Sequence, residues 1–259
     1  MASLKIWAIA DLHLAKGVPE KNMDVFGVCW THYMERIELN WRSTVLADDL
    51  VLIAGDISWA MNIDQAKIDL DWIDSLPGTK VMIRGNHDYW WSSASKVRAA
   101  LPPSLNIIQN DAFEWHDYSI AGARLWDTSE YTFGTLFSSV VKDVAEVLVD
   151  QEKIFVREIN RLELSLKSMQ QKKRLVMTHY PPISVDLKPS RISKLLEEYE
   201  VSHCVFGHLH NIKKQTPFWG KKNGVDYIFT AADFLEFKPY CIILETAIGD
   251  GKLIQSFDP

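Results

Sequence analysis

Seven short apolar runs punctuate the chain: Ile6–Ala10, Leu50–Ala54, Val81–Ile83, Leu175–Met177, Cys204–Phe206, Tyr227–Phe229 and Cys241–Leu244. Their apolar character is continuous rather than alternating, which suits strands covered on both faces. Segments with helical spacing lie between several of them, at Thr31–Leu46, Ile63–Leu76 and Val140–Met169. In the last, Phe155, Ile159, Leu162, Leu166 and Met169 form one apolar stripe, which reads as core contact. Strand alternating with helix predicts βαβ units around a parallel sheet. Two hairpins are expected as well, one at Glu245–Lys252 around Gly249-Asp250-Gly251, the other at Phe113–Trp126 around Gly122. The expectation is a mixed α/β sheet system, parallel at its centre and antiparallel at its edges. Neither an internal repeat nor a Pro/Gly/Ser linker divides residues 1–259, so they read as one domain.

Composition narrows the function classes. Twenty-eight basic against 34 acidic residues leave a net charge of −6, and 47% of the chain is apolar. Disordered and coiled-coil chains are excluded. No basic field exists to hold a polyanion, so the lysine clusters at 172–174, 213–214 and 221–222 read as solvated ends, without a strong nucleic-acid signal. Cys29, Cys204 and Cys241 are odd in number and lack a CxxC pair. They read as buried thiols in a reducing compartment. Only five apolar residues precede Asp11, too few for a signal-peptide core, and nothing later approaches a membrane span. A cytoplasmic protein without a membrane partner is the expectation.

Chemistry resides where the runs end. Five of the seven are followed by Asp11-Leu12-His13, Gly55-Asp56, Gly85-Asn86-His87-Asp88, His179 and Gly207-His208-Leu209-His210. In open α/β sheets the ligand crevice lies outside the carboxyl ends of the strands, so these distant residues should converge. Imidazole nitrogen and carboxylate oxygen suit Mn, Fe or Zn, with no thiolate to select a softer ion. Two ions need a bridging anion, and a carboxylate offers two oxygens.

The ordered set of five blocks, spanning residues 11–210, resembles the calcineurin-like metallophosphoesterases, outside the protein serine/threonine phosphatase branch. That branch carries Asp-Arg-Gly shortly after its Gly-Asp block, whereas this chain reads Asp56-Ile57-Ser58-Trp59-Ala60. The resemblance implies a four-layer α/β/β/α sandwich of two mixed sheets. It implies two divalent cations, one on Asp11, His13 and His210, the other on Asn86, His179 and His208, with Asp56 bridging them. His87 would face the scissile phosphate as a catalytic group rather than a ligand. The implied activity is hydrolysis of phosphate esters, a metal-bridged hydroxide attacking phosphorus in line with no covalent phosphoenzyme. Two divalent ions, two carboxylates and that hydroxide leave the cluster at about +1, attractive to phosphate in an acidic protein.

The substrate expected is a small-molecule phosphodiester or phosphomonoester. Alternatives are pyrophosphate or nucleic-acid phosphodiester hydrolysis, and a non-catalytic scaffold, which a replaced ligand would betray. Insertions near 15–46 and 128–139 are expected to overhang the site. His32, His116 and His203 read as structural, and Asp48 and Asp49 as solvated lead-in to a strand. Arg84, Lys188 and Arg191 stay open between substrate contact and structure, and Asp88 between orienting His87 and a structural hydrogen bond to the loop. Ten tryptophans are many for this length. Trp59, Trp90 and Trp91 follow ligand motifs closely, so they either line the pocket or support it.

Overall fold

Along β1 (Ser3–Ile9), Ile6 and Ala8 enter one hydrophobic core while Trp7 and Ile9 enter another. That period-two division puts apolar atoms on both faces of a strand, and it repeats throughout the molecule. The computed structural model describes residues 3–131, 133, 148–212, 219–247 and 253–255. In chain order, β1 leads through three 3₁₀ turns (19–21, 23–26 and 28–30) to α1 (Tyr33–Thr44), β2 (Leu50–Ile53), α2 (Ile63–Asp74), β3 (Thr79–Met82), α3 (Ala94–Ala100) and β4 (Leu105–Ile107). There follow β5 (Phe113–Trp115), β6 (Tyr118–Ala123), α4 (Leu148–Lys167), β7 (Lys173–Thr178), α5 (Arg191–Glu198) and β8 (His203–Phe206). The last elements are β9 (Gly220–Lys222), β10 (Val225–Phe229), β11 (Tyr240–Ala247) and β12 (Leu253–Gln255).

Two six-stranded sheets result, in the orders β12-β11-β1-β2-β3-β4 and β5-β6-β7-β8-β10-β9. In the first, β1 to β4 are parallel, with β11 and β12 antiparallel at one edge. In the second, β6, β7, β8 and β10 are parallel, with antiparallel β5 and β9 at the two edges. Both sheets are mixed, as the apolar runs suggested.

The layering follows from which side chains share a core. Ile6, Leu52 and Val81 of the first sheet meet Ile120, Leu175 and Val205 of the second in a dry central layer. On the outer face of the first sheet, Trp7, Val51 and Met82 pack against Ile37 and Trp41 of α1, Leu70 of α2 and Val97 of α3. On the outer face of the second, Val176, Cys204 and Tyr227 pack against Phe155 and Leu162 of α4 and Leu196 of α5. This is an α/β/β/α sandwich. Each fully buried aliphatic side chain in these layers contributes about 1.5–3 kcal/mol of hydrophobic stabilisation.

Several sequence expectations change in detail. The hairpin expected around Gly122 turns instead at His116-Asp117, between β5 and β6. Gly122 lies inside β6, where a Cβ would come within 2.7 Å of the Met177 carbonyl oxygen. Asp49 is buried rather than solvated, because its carboxylate accepts hydrogen bonds from Trp7 Nε1 (2.8 Å) and the Leu46 amide (2.9 Å). Cys204 is buried, but Cys29 is exposed and Cys241 half-buried. The Ala247–Leu253 pairing accords with a hairpin at Glu245–Lys252, whose turn lies outside the described residues. Residues 140–147 of the expected helical segment, the lysines at 213–214 and most of the expected 128–139 insertion also lie outside the described residues. No helix among the described residues is long and apolar enough to cross a membrane.

Candidate metal centre

Every parallel strand near the middle of the two sheets delivers a polar side chain at its carboxyl end. Asp11 and His13 follow β1, Asp56 follows β2, and Asn86, His87 and Asp88 follow β3. His179 follows β7, and His208 and His210 follow β8. A crevice at strand ends is where this topology collects chemistry.

The backbone bends sharply to bring these groups together. Asp11, His13, Asp56 and His208 all adopt left-handed φ values of 58°, 46°, 52° and 75°. Such a conformation is uncommon outside glycine, and its clustering marks a functional site. The glycines of the motifs permit close approach. A Cβ on Gly85 would sit 2.1 Å from Asp56 Oδ1, and one on Gly207 would sit 2.1 Å from Asp11 Oδ2.

The donors converge in two overlapping groups. Asp11, His13 and His210 place ligand atoms together, as do Asp11, Asp56 and His179. His13 Nε2 stands 3.2 Å from His210 Nε2. Asp56 Oδ2 lies between the two groups, 3.6 Å from His13 Nε2 and 3.4 Å from His179 Nε2. Asn86 Oδ1 is 2.7 Å from His179 Nε2 and 3.0 Å from His208 Nδ1. Although Asp11 Oδ1 also approaches His179 at 3.9 Å, it faces Nδ1, the nitrogen that points at the Ala54 carbonyl oxygen 3.0 Å away. Asp11 is common to both groups, and Asp56 Oδ2 adds a second link by approaching Nε2 of His13 in one and Nε2 of His179 in the other.

Burial makes this cluster uncomfortable without a cation. Desolvation pushes the Asp11 carboxyl up to about 7, against the opposing pull of His210. It pulls His13 down to about 3 and His208 down to about 2. Burial acts against the charged form of His179, but Asp56, Asp11 and the Ala54 carbonyl together raise that imidazole to about 9. Desolvation opposes ionisation of Asp56 too, yet His179 holds its carboxyl below the usual range. His13 Nδ1 is buried with no hydrogen-bond partner among the described residues. Two imidazole nitrogens 3.2 Å apart, two buried carboxylates and an amide oxygen form a hard-to-borderline donor set that fits divalent cations.

Residues around the donors define the remaining geometry. The His87 amide donates to Asp56 Oδ1 (2.8 Å), and its half-buried ring lies 4.6 Å from that of Trp59. Trp59 also stacks on His13 at 4.9 Å and 21°. Trp90 and Trp91 are buried, each with its indole nitrogen on a structural acceptor, Asp88 and Gln109. They support the loops rather than line them, and Trp59 alone of the three meets the site. Asp88 accepts from the amides of Ile57, Ser58 and Gly85 besides Trp90, so it ties the Asp56 loop to the Asn86 loop. The 15–46 insertion reaches the centre: Trp30 packs edge-on against His13 and His210, and the Tyr33 hydroxyl donates to the His13 carbonyl. Lys188 and Arg191 are taken up by surface ion pairs, with Asp186 and with Glu130 and Glu152.

One contributor escaped the sequence reading. Asp233 Oδ1 lies 3.1 Å from His210 Nδ1, which orients that imidazole and leaves Nε2 facing His13. It follows β10, and the Tyr227–Phe229 run closing on Thr230-Ala231-Ala232-Asp233 was the available signal.

Carboxylates and imidazoles gather at the strand ends of a four-layer sandwich as a donor set that fits divalent cations. A profile of the calcineurin-like phosphoesterases matches residues 4–211, and the chain belongs to that family. Over 84 residues it is 36% identical to the Gene 66 protein of Mycobacterium phage D29, a match spanning 32% of this chain and 40% of that protein. Its structure is similar to phosphopantetheinyl hydrolase from Mycobacterium tuberculosis, with a TM-score of 0.55 and 15% identity over 100% of this chain and 98% of the other. It is also similar to a candidate 5′-nucleotidase from Staphylococcus aureus in complex with α-ketoglutarate, with a TM-score of 0.50 and 11% identity over 98% and 53% of the two chains. At these identities the structural likeness is one of fold.

Proposed function

We propose that the protein hydrolyses small phosphodiesters or phosphomonoesters at a dinuclear centre. Asp11, His13 and His210 would hold one cation and Asn86, His179 and His208 the other, with Asp56 as the carboxylate they would share. The observation that carries this reading is the position of Asp56 Oδ2, within 3.6 Å of His13 Nε2 and 3.4 Å of His179 Nε2. When bound, Mn, Fe or Zn ions acidify water and polarise the phosphoryl oxygens.

The protein's own residues do the rest. Asp56 uses one oxygen toward the centre and the other to hold the His87 amide, so bridging and His87 placement are one constraint. His87 Nδ1 lies 3.4 Å from the Tyr89 hydroxyl, which leaves Nε2 to reach the substrate. From Nε2 it donates a hydrogen bond to the phosphoryl group and, when the ring carries both protons, passes one to the leaving oxygen and reverts to the neutral imidazole. Trp59 beside it offers an apolar wall to the leaving group. Attack by water requires no serine or cysteine nucleophile, and no phosphoenzyme forms.

A panel of phosphate mono- and diesters, assayed with Mn, Fe and Zn, tests this reading. Turnover that vanishes in Asp56→Asn is expected. Turnover equal in wild type and Asp56→Asn would overturn it, as would metal analysis giving fewer than two ions per chain at metal saturation.

A further inference from the structure

A cavity of about 120 Å³ opens beside the ends of β3, β4 and β6 and the inner face of α4, and none of its lining residues is a donor of the metal centre. Three guanidinium groups line it, Arg84, Arg124 and Arg161, against one carboxylate, Glu158. Its other lining residues are neutral, so the lining carries 3 − 1 = +2 in a protein whose net charge is −6.

That single carboxylate is already engaged. Buried Glu158 uses Oε1 to accept from Arg124 at 3.2 Å and from Arg161 at 2.9 Å, and Arg157 approaches the same oxygen at 3.9 Å. Arg84 has no hydrogen bond or ion pair among the described residues, and its Nε is buried without a partner. Arg124 Nε is likewise buried and unpartnered. Buried guanidinium nitrogens left without an acceptor are costly and are retained where something pairs with them.

We propose that this cavity is a binding site for a phosphate-class oxyanion, held by Arg84, Arg124 and Arg161. Guanidinium forks match the oxygens of such an anion in pairs. The volume is several-fold what one water requires. The anion is either a second phosphoryl group of the substrate or free inorganic phosphate. The site touches the chemistry through the chain: Arg84 directly precedes Gly85-Asn86, and the Arg124 carbonyl accepts the amides of His179 (3.2 Å) and Tyr180 (3.0 Å). Occupancy therefore bears on the loops that carry Asn86 and His179.

Calorimetric titration of the full-length, metal-loaded protein with inorganic phosphate tests the proposal. Arg84→Gln removes no existing bond, so it is expected to melt like wild type. It should abolish one class of phosphate site or weaken it about tenfold or more. Arg161→Gln, a change on the exposed side of the cavity, should weaken the same class and serves as the second variant. Phosphate binding identical in number and affinity between wild type and both variants would overturn the site. The loss is scored against wild type, so it does not depend on phosphate binding at the metal centre. Kinetics assign the source: a KM increase confined to esters bearing a second phosphoryl group marks the substrate, whereas weakened inhibition by phosphate with KM unchanged marks the free ion.

Discussion

Asp233 and His210 are joined by a 3.1 Å contact between a carboxylate oxygen and Nδ1, although 23 residues separate them. The same carboxylate accepts the Asn211 amide at 3.1 Å, so it fixes both the ring and the backbone that carries it. Burial works against its ionisation, yet His210 holds the carboxyl below its usual range. Ligand orientation of this kind governs metal affinity without touching the ion. Asp233→Asn should weaken one of two bound cations about 10- to 100-fold, read by titration with a metal indicator, and leave the melting curve of the chelated protein close to that of wild type.

Loss of the His87 imidazole leaves the donor set intact. His87→Ala should lower kcat by about 10²- to 10⁴-fold, the usual weight of a positioned proton donor. Metal content measured by mass spectrometry should stay at the wild-type level. A parallel loss of metal would make His87 a scaffold for Asp56 instead.

Asp88 is a clamp. Four donors, the amides of Ile57, Ser58 and Gly85 and the Trp90 indole, converge on one buried carboxylate. Asp88→Ala leaves all four unsatisfied and should cost about 3 kcal/mol or more in urea unfolding, in addition to lowering activity through displaced loops.

The aromatic residues should separate into two behaviours. Trp59→Ala is expected to raise KM for esters with flat or apolar leaving groups while leaving stability nearly unchanged, since Trp59 is only partly buried beside His87. Trp90→Ala removes a fully buried ring and its bond to Asp88, and should destabilise by about 3–5 kcal/mol. Steady-state kinetics and thermal melting distinguish the pair.

Lys80 offers a pH test remote from the centre. It is wholly buried, with Nζ donating to the Leu76 carbonyl and to Ser104 Oγ at 3.0 Å. Burial lowers its ammonium from 10.5 to about 8. Between those values the unfolded chain binds the extra proton, so stability rises with pH across that window. Wild type measured against Lys80→Met should therefore gain stability from pH 8 to 10.5. A flat difference would mean that the amine keeps its charge in the fold.

Layering and chemistry were written locally. Continuous apolar runs such as Leu50–Ala54 announce a strand covered on both faces, and the Asp, Asn and His residues after them announce a strand-end site. The apolar stripe of α4 was equally plain, because helical spacing depends only on chain neighbours. What the chain could not announce were relations set by packing between distant segments. Asp49 reads as a solvated strand lead-in until Trp7 is laid across it, and Asp233 reads as one more loop acid until β10 sets it beside His210. Trp59 and Trp90 have the same standing in one dimension; only the close packing of three dimensions turns one toward His87 and the other beneath Asp88. Local pattern thus determined which strands and which donors this protein has. Tertiary structure alone decided that Asp233 orients His210 and that Arg84 stands without a partner among the described residues, since long-range proximity is the product of topology rather than of composition.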